Sequence, residues 1–229
     1  SDGVIFRGDD GRLETIVDTD LSSDTFTIAG KEFFRAASSK VVGFVDLNPA
    51  VTMDTRLSDL RGANQPGIRP GRIEVSDGTN TVEIDLSGCA TVGDVVDKLN
   101  AEMPGSLQAT ISPTSILIGS PGGVDFTITD VGGGQTAADL GIRTTTPVDQ
   151  LIGVDLDPKL TNLSKLDDLL GGAGVDLSGG LVIRNGARVA SLGFTDAETI
   201  EDVVNTINGA PVGAWARVSD DGRRIQVLN

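Results

Sequence analysis

Apolar and polar residues alternate through Arg72-Ile73-Glu74-Val75-Ser76 and again through Thr81-Val82-Glu83-Ile84-Asp85-Leu86. Asp77-Gly78-Thr79-Asn80 lies between them, and alternation on both sides of an Asp-Gly turn predicts a half-exposed β-hairpin over residues 71–86. The period then changes. Across residues 91–100 the apolar positions Val92, Val95, Val96 and Leu99 follow helical spacing, and Thr91 is placed to cap the first turn. An apolar run at residues 107–112 returns as a strand, which makes the unit hairpin, helix, strand.

The same pattern recurs. Gly180-Leu181-Val182-Ile183-Arg184 and Ala187-Arg188-Val189-Ala190 flank Asn185-Gly186, a pair suited to a type I′ turn. Thr199-Ile200-Glu201-Asp202-Val203-Val204 answers Thr91-Val92-Gly93-Asp94-Val95-Val96, and Asn208 answers Asn100. Residues 212–219 return as a strand, and Asp220-Asp221-Gly222 turns the chain into residues 223–228. The lead-ins align as Leu57-Ser58-Asp59-Leu60 with Leu163-Ser164-Lys165-Leu166. An internal repeat of this kind speaks for scaffolding more than chemistry.

Elsewhere the pattern predicts shorter pieces. Strands are expected at residues 4–7 and 13–17 about a Gly8-Asp9-Asp10-Gly11-Arg12 turn, then at residues 25–30 after a polar, turn-like stretch from Asp18 to Asp24. Phe33 and Phe34 follow, and a strand is expected at residues 41–45. After the first unit come strands at 115–118 and 124–131, a Gly132-Gly133-Gly134 break, and a linker at Thr144-Thr145-Thr146-Pro147 that crosses to the second unit. The expected division is residues 1–54, an N-terminal β segment; 55–146, the first repeat; and 147–229, the second. Nothing after residue 228 answers residues 124–142, so the chain reads as a fragment of a longer one.

Composition narrows the function. The chain has 229 residues, 33 acidic against 18 basic, for a net charge of −15, no histidine and one cysteine. That balance argues against nucleic-acid binding, which needs a basic face, and suits a repelling, solvated surface. No run of 18 apolar residues is present to span a membrane. Aromatics make up only 3%, so Val, Leu, Ile and Ala must fill the cores.

Without histidine there is no Ser/His/Asp or Cys/His relay and no imidazole metal ligand. Cys89, in Ser87-Gly88-Cys89-Ala90, reads as a small buried hydrophobe and not as a nucleophile. The glycine run at 132–134 lacks the Gly-Lys-Ser/Thr ending of a phosphate loop. The pairs Asp9-Asp10, Asp155/Asp157, Asp167-Asp168 and Asp220-Asp221, with Asp18 and Asp20, sit in turns where Asp bonds its own backbone, and none completes a calcium loop. Trp215 is the one stacking candidate; alternation sets it opposite Ala214 and Ala216, and core packing is its expected role. The expectation is no catalytic, cofactor-binding or metal residue, and no enzyme.

The segments Ala90 to Asn100 and Glu198 to Asn208 resemble the flagellin hook "IN" motif, a repeat in the outer domains of bacterial flagellins, filament-cap proteins and hook-associated proteins. Residues 131–142 look like the ending of such a repeat. Ile5-Phe6-Arg7-Gly8-Asp9-Asp10-Gly11-Arg12, followed by Ile28-Ala29-Gly30-Lys31-Glu32-Phe33-Phe34, is similar to the outer domain of hook-filament junction members of the family. The resemblance implies an extracellular, structural role in the bacterial flagellum, serving motility. Terminal helices outside this stretch would assemble with other subunits and with neighbouring hook or filament proteins, and no nucleic acid or membrane partner is implied. The expected fold is α+β, β-rich and mostly antiparallel, with an N-terminal β segment and two similar hairpin-helix-strand repeat domains.

Overall fold

The computed structural model describes the backbone of Leu13–Asp18 and Leu21–Phe26 and all of residues 40–229. The strand expected at residues 4–7 with its Gly8–Arg12 turn, Phe33 and Phe34, and all but Thr25 and Phe26 of the strand expected at 25–30 lie outside the described residues. The fold is β-rich, built from small, mostly antiparallel sheets with few helices.

Strands β1 (Leu13–Asp18) and β2 (Leu21–Phe26) form an antiparallel pair. The stretch expected as a polar turn is therefore largely strand, with Ser22, Ser23 and Asp24 opposite Ile16, Thr15 and Glu14. A ladder is held by main-chain bonds, which polar side chains do not forbid. Strand β3 (Lys40–Val42) follows.

Strands β4 (Arg72–Ser76) and β5 (Thr81–Asp85) make the hairpin read from alternation, with Val75 opposite Val82 and Ile73 opposite Ile84. Gly78 takes φ 82° at its tip, which L-residues adopt at a cost. Helix α1 (Val92–Glu102) packs over this sheet. Strands β6 (Gln108–Ile111) and β7 (Ile116–Gly119) form a second hairpin. Strand β8 (Thr127–Asp130) then pairs with the free side of β4. After the short helix α2 (Thr136–Asp139), strand β9 (Gln150–Ile152) pairs with β7. The first residue of the stretch expected as a linker, Thr144, donates its N–H to the Ile128 carbonyl at 2.9 Å, and just past the linker Val148 bridges Phe126, so the chain stays in the first sheet system here.

The chain continues through α3 (Leu169–Gly172), a short turn broken by left-handed Leu170 and Gly171. It then forms β10 (Leu181–Asn185), β11 (Arg188–Leu192), α4 (Ile200–Asn208), β12 (Trp215–Val218) and β13 (Ile225–Leu228). Strand β13 is the middle of a three-stranded sheet, with β12 on one side and β3 on the other.

Two apolar cores result. The first gathers Val51, Leu57, Leu60, the inward residues of β4, β5 and β7, the α1 stripe, Phe126, Ile128, Leu140, Ile142 and Leu156. The second gathers Leu160, Leu166, Leu169, Phe194, the α4 stripe and Ala216, with Leu47, Ile225 and Val227 against it. Val92, Val95, Val96 and Leu99 are all buried, as are Ile200, Val203, Val204 and Ile207. Each such side chain contributes roughly 1.5–3 kcal/mol on leaving water.

The chain crosses between the two cores twice. Residues 40–47 serve the second core and residue 51 onward the first; residues up to 156 serve the first and residue 160 onward the second. Leu47 donates its N–H to the Arg223 carbonyl at 2.9 Å, and Leu156 donates to Thr114 at 2.9 Å. Val51 donates to Pro113 at 2.7 Å, and Leu160 to Gly222 at 2.7 Å. Where the two connections pass, Ala50 donates to Asp168 at 2.6 Å and Lys159 to Asp59 at 2.7 Å. Asn48 (φ 25°) and Asp157 (φ 44°) make the same left-handed step, which Asn and Asp tolerate best among side-chain-bearing residues.

Candidate functional site

The residues that the sequence singled out fall mainly into structural posts. Thr91 caps α1: its hydroxyl accepts from the Asp94 N–H at 3.1 Å, while Asp94 Oδ2 accepts from the N–H groups of Ala90 and Thr91, each at 2.9 Å. Thr199 and Asp202 repeat the arrangement on α4, with Asp202 Oδ2 accepting from Glu198 and Thr199. Such a capping box satisfies amides that the first helical turn leaves open. The Ala90 and Thr91 amides hold the Asp94 carboxyl below the ordinary carboxylate range, and the Thr199 hydroxyl and amide do so for Asp202.

At the other end of each helix stands an asparagine. Asn100 Oδ1 accepts from the Ala109 N–H at 2.7 Å, and its Nδ2 donates to the Ala109 carbonyl at 3.0 Å. Asn208 makes the same two bonds to Ala216. One side-chain amide thereby fastens helix to strand.

In two of the acidic pairs one carboxylate fastens a turn. Asp155 accepts from the Asp157 N–H at 2.8 Å, and Asp221 from the Arg223 N–H at 3.1 Å. Among the described residues no group of three His, Cys, Asp or Glu side chains is arranged to hold a metal ion. Gly132-Gly133-Gly134 turns β8 into α2. Cys89 is half-buried against the first core, and burial pushes its thiol pKa up, with Asp94 adding to the effect.

Trp215 departs from expectation. Trp215 is 53% exposed while Ala216 is buried. The Arg217 guanidinium lies 5.8 Å from the ring centroid. Alternation correctly sets Trp215 opposite Ala216, but the core lies on the alanine side, where Asn208 grips the strand. Gln226, opposite Arg217 in β13, is wholly buried, and neither amide atom is hydrogen-bonded among the described residues.

The most elaborate polar cluster joins the two connections, and sequence reasoning missed it. Asp157 pairs with Arg61 at 2.9 Å and with Arg223 at 2.6 Å, and Arg223 also binds Asp46. Arg61 further donates to the carbonyls of Asp221 and Gly222. The available signal was the match of Asp46-Leu47-Asn48-Pro49 with Asp155-Leu156-Asp157-Pro158. A groove of about 340 Å³ runs along this seam, lined in matched pairs by Pro49 and Pro158, Thr52 and Thr161, and Arg56 and Lys165.

No helix among the described residues is long and apolar enough to cross a membrane. No family model matches the chain, and no curated protein or solved structure is similar to it.

Proposed function

We propose that the chain is the outward-projecting part of a structural subunit of the bacterial flagellum, built from two copies of one hairpin-helix-strand unit. In the first copy β4, β5, α1, β6 and β7 correspond to β10, β11, α4, β12 and β13 of the second. The observation that carries the reading is the double use of the motif residues. Thr91, Asp94 and Asn100 make the same bonds as Thr199, Asp202 and Asn208. In both copies the motif's conspicuous side chains are spent on joining helix to strand, which suits a module that fills space and presents surface.

Within that family the hook-filament junction protein is the favoured member, with a flagellin or filament-cap protein next. It is not an enzyme on this reading; it is extracellular, and self-assembly with neighbouring hook or filament proteins runs through parts outside this stretch. Electron microscopy of a strain lacking the gene tests it. On this reading the strain should show a defect where the filament joins the hook, whereas a cap protein would place the defect at the filament tip. Normal flagella and no antibody label on them overturn the proposal.

The exposed Trp215, with Arg217 beside it, favours one other reading, a surface adhesin or glycan-binding module. Aromatic faces stack on sugar rings in such sites. Glycan-array binding that Trp215→Ala abolishes while the variant still folds would select it.

A further inference from the structure

We infer that a second copy of this chain docks its Trp215 ring into the shallow pocket over Gly119, giving neighbouring subunits a contact made by this stretch itself. The pocket opens on the sheet of β6, β7 and β9 and encloses about 370 Å³. That lies at the low end of the range in which proteins hold small ligands, roughly 300–1,000 Å³, and leaves room for one indole. Gly119 forms its floor, with Gln108 opposite on one side and Gln150 on the other. The next row adds half-buried Leu117 and Ile152, which is 80% exposed, and Pro121 also lines the space. No charged side chain is among the described residues around it.

The occupant follows from what the pocket asks for and what the chain offers. Its lining joins an apolar end to two amides, and neither Gln108 nor Gln150 has a side-chain hydrogen-bond partner among the described residues. An indole meets both demands, with a broad apolar ring and one N–H that needs an acceptor when buried. Trp215 is the chain's single tryptophan, is 53% exposed, and does not line the pocket of its own chain. Knob and hole sit at corresponding places: Gln108 comes just before the Ala109 that Asn100 brackets, and Trp215 just before the Ala216 that Asn208 brackets. Charge agrees with the pairing. Arg217 accompanies the ring at 5.8 Å, and exposed Asp149 precedes Gln150 at the pocket.

A knob on one half and a hole on the other make a heterologous contact, which joins copies head to tail. One aromatic anchor between chains of net charge −15 holds weakly alone. Subunits already held side by side would feel it at a far higher effective concentration. Only two copies of this chain are needed, so the contact stands or falls apart from the flagellar reading.

Sedimentation and fluorescence of the full 229-residue chain test this, at protein concentrations rising to about 1 mM, the range in which weak contacts populate. The average mass should climb with concentration while the emission of Trp215, the only indole, moves to shorter wavelength. Trp215→Ala should weaken association at least about tenfold, as loss of a central aromatic anchor does. Gly119→Leu should do the same from the other side: a Cβ at Gly119 meets nothing within 4 Å, so the added side chain fills the floor without straining the backbone. Each variant keeps one partner of the contact, and an equimolar mixture of the two should form pairs that neither forms alone. A parent that stays monomeric with unchanged emission overturns the inference, and so do variants that associate as the parent does or a mixture that stays monomeric. Glycan binding through Trp215 by a parent that stays monomeric would overturn it in favour of the glycan-binding reading.

Discussion

Asn100 brackets Ala109, accepting from its N–H at 2.7 Å and donating to its carbonyl at 3.0 Å. The helix therefore meets β6 through a two-point contact that mimics a strand neighbour. Asn100→Ala leaves both main-chain groups of a buried residue without their partner and should cost about 1–3 kcal/mol. Asn208→Ala should cost a similar amount through Ala216. Chemical denaturation of each variant measures the loss, and unchanged midpoints would refute the role.

The capping boxes predict an acid limb. Asp94 and Asp202 titrate below an unfolded Asp, so their contribution is complete above about pH 4 and is lost as pH falls through their lower folded values. The double variant Asp94→Asn, Asp202→Asn should lose stability at neutral pH and show a shallower decline in acid. Denaturation midpoints across a pH series provide the check; parallel curves would exclude it.

Asp157→Asn keeps a residue that tolerates the left-handed step but removes the charge that Arg61 and Arg223 share. A cost of about 1–3 kcal/mol is expected, since hydrogen bonds to charged groups are the stronger class. The deficit should shrink in high salt, because screening already weakens the partly exposed Arg223 pair in the parent. Thermal melts at two salt concentrations measure it.

Gln226 predicts the opposite sign. Its buried amide has no hydrogen-bond partner among the described residues, and on the proposed correspondence of the two halves its place in β7 is held by Leu117, opposite Ile152 as Gln226 is opposite Val42. Gln226→Leu should leave stability unchanged or raise it, by up to about 1–3 kcal/mol, because an unsatisfied polar group leaves the interior. A marked loss would reveal a partner for the amide.

The helices and central hairpins were legible because their signals are local. Val92, Val95, Val96 and Leu99 announce a stripe whose spacing only a helix uses, and Asn185-Gly186 announces its turn. Trp215 was not legible, since alternation defines two faces without saying which is inside; Ala216 faces the core because Asn208 holds it there. The lead-in alignment slipped for a related reason. Leucines recur every third residue, and the structure matches Leu57 and its 3₁₀ turn with Leu166, not Leu163. Each heads the same bond, Leu57 N–H to Ala90 and Leu166 N–H to Glu198, both at 2.9 Å. Strand β9 escaped notice, and β3, expected at residues 41–45, was read without its partner, because both pairings are with distant strands, which no short window reports.

The passing connections at residues 48–50 and 157–159 bear on how such a chain can change. Residues 51–156 hold every strand of the first core, so excising them leaves the second half its own strands, β3 included, whereas a single cut at residues 157–159 parts β3 from β13. The first half is therefore the piece that can be gained or lost as an insert, while the second is heritable only together with the segment that precedes the first.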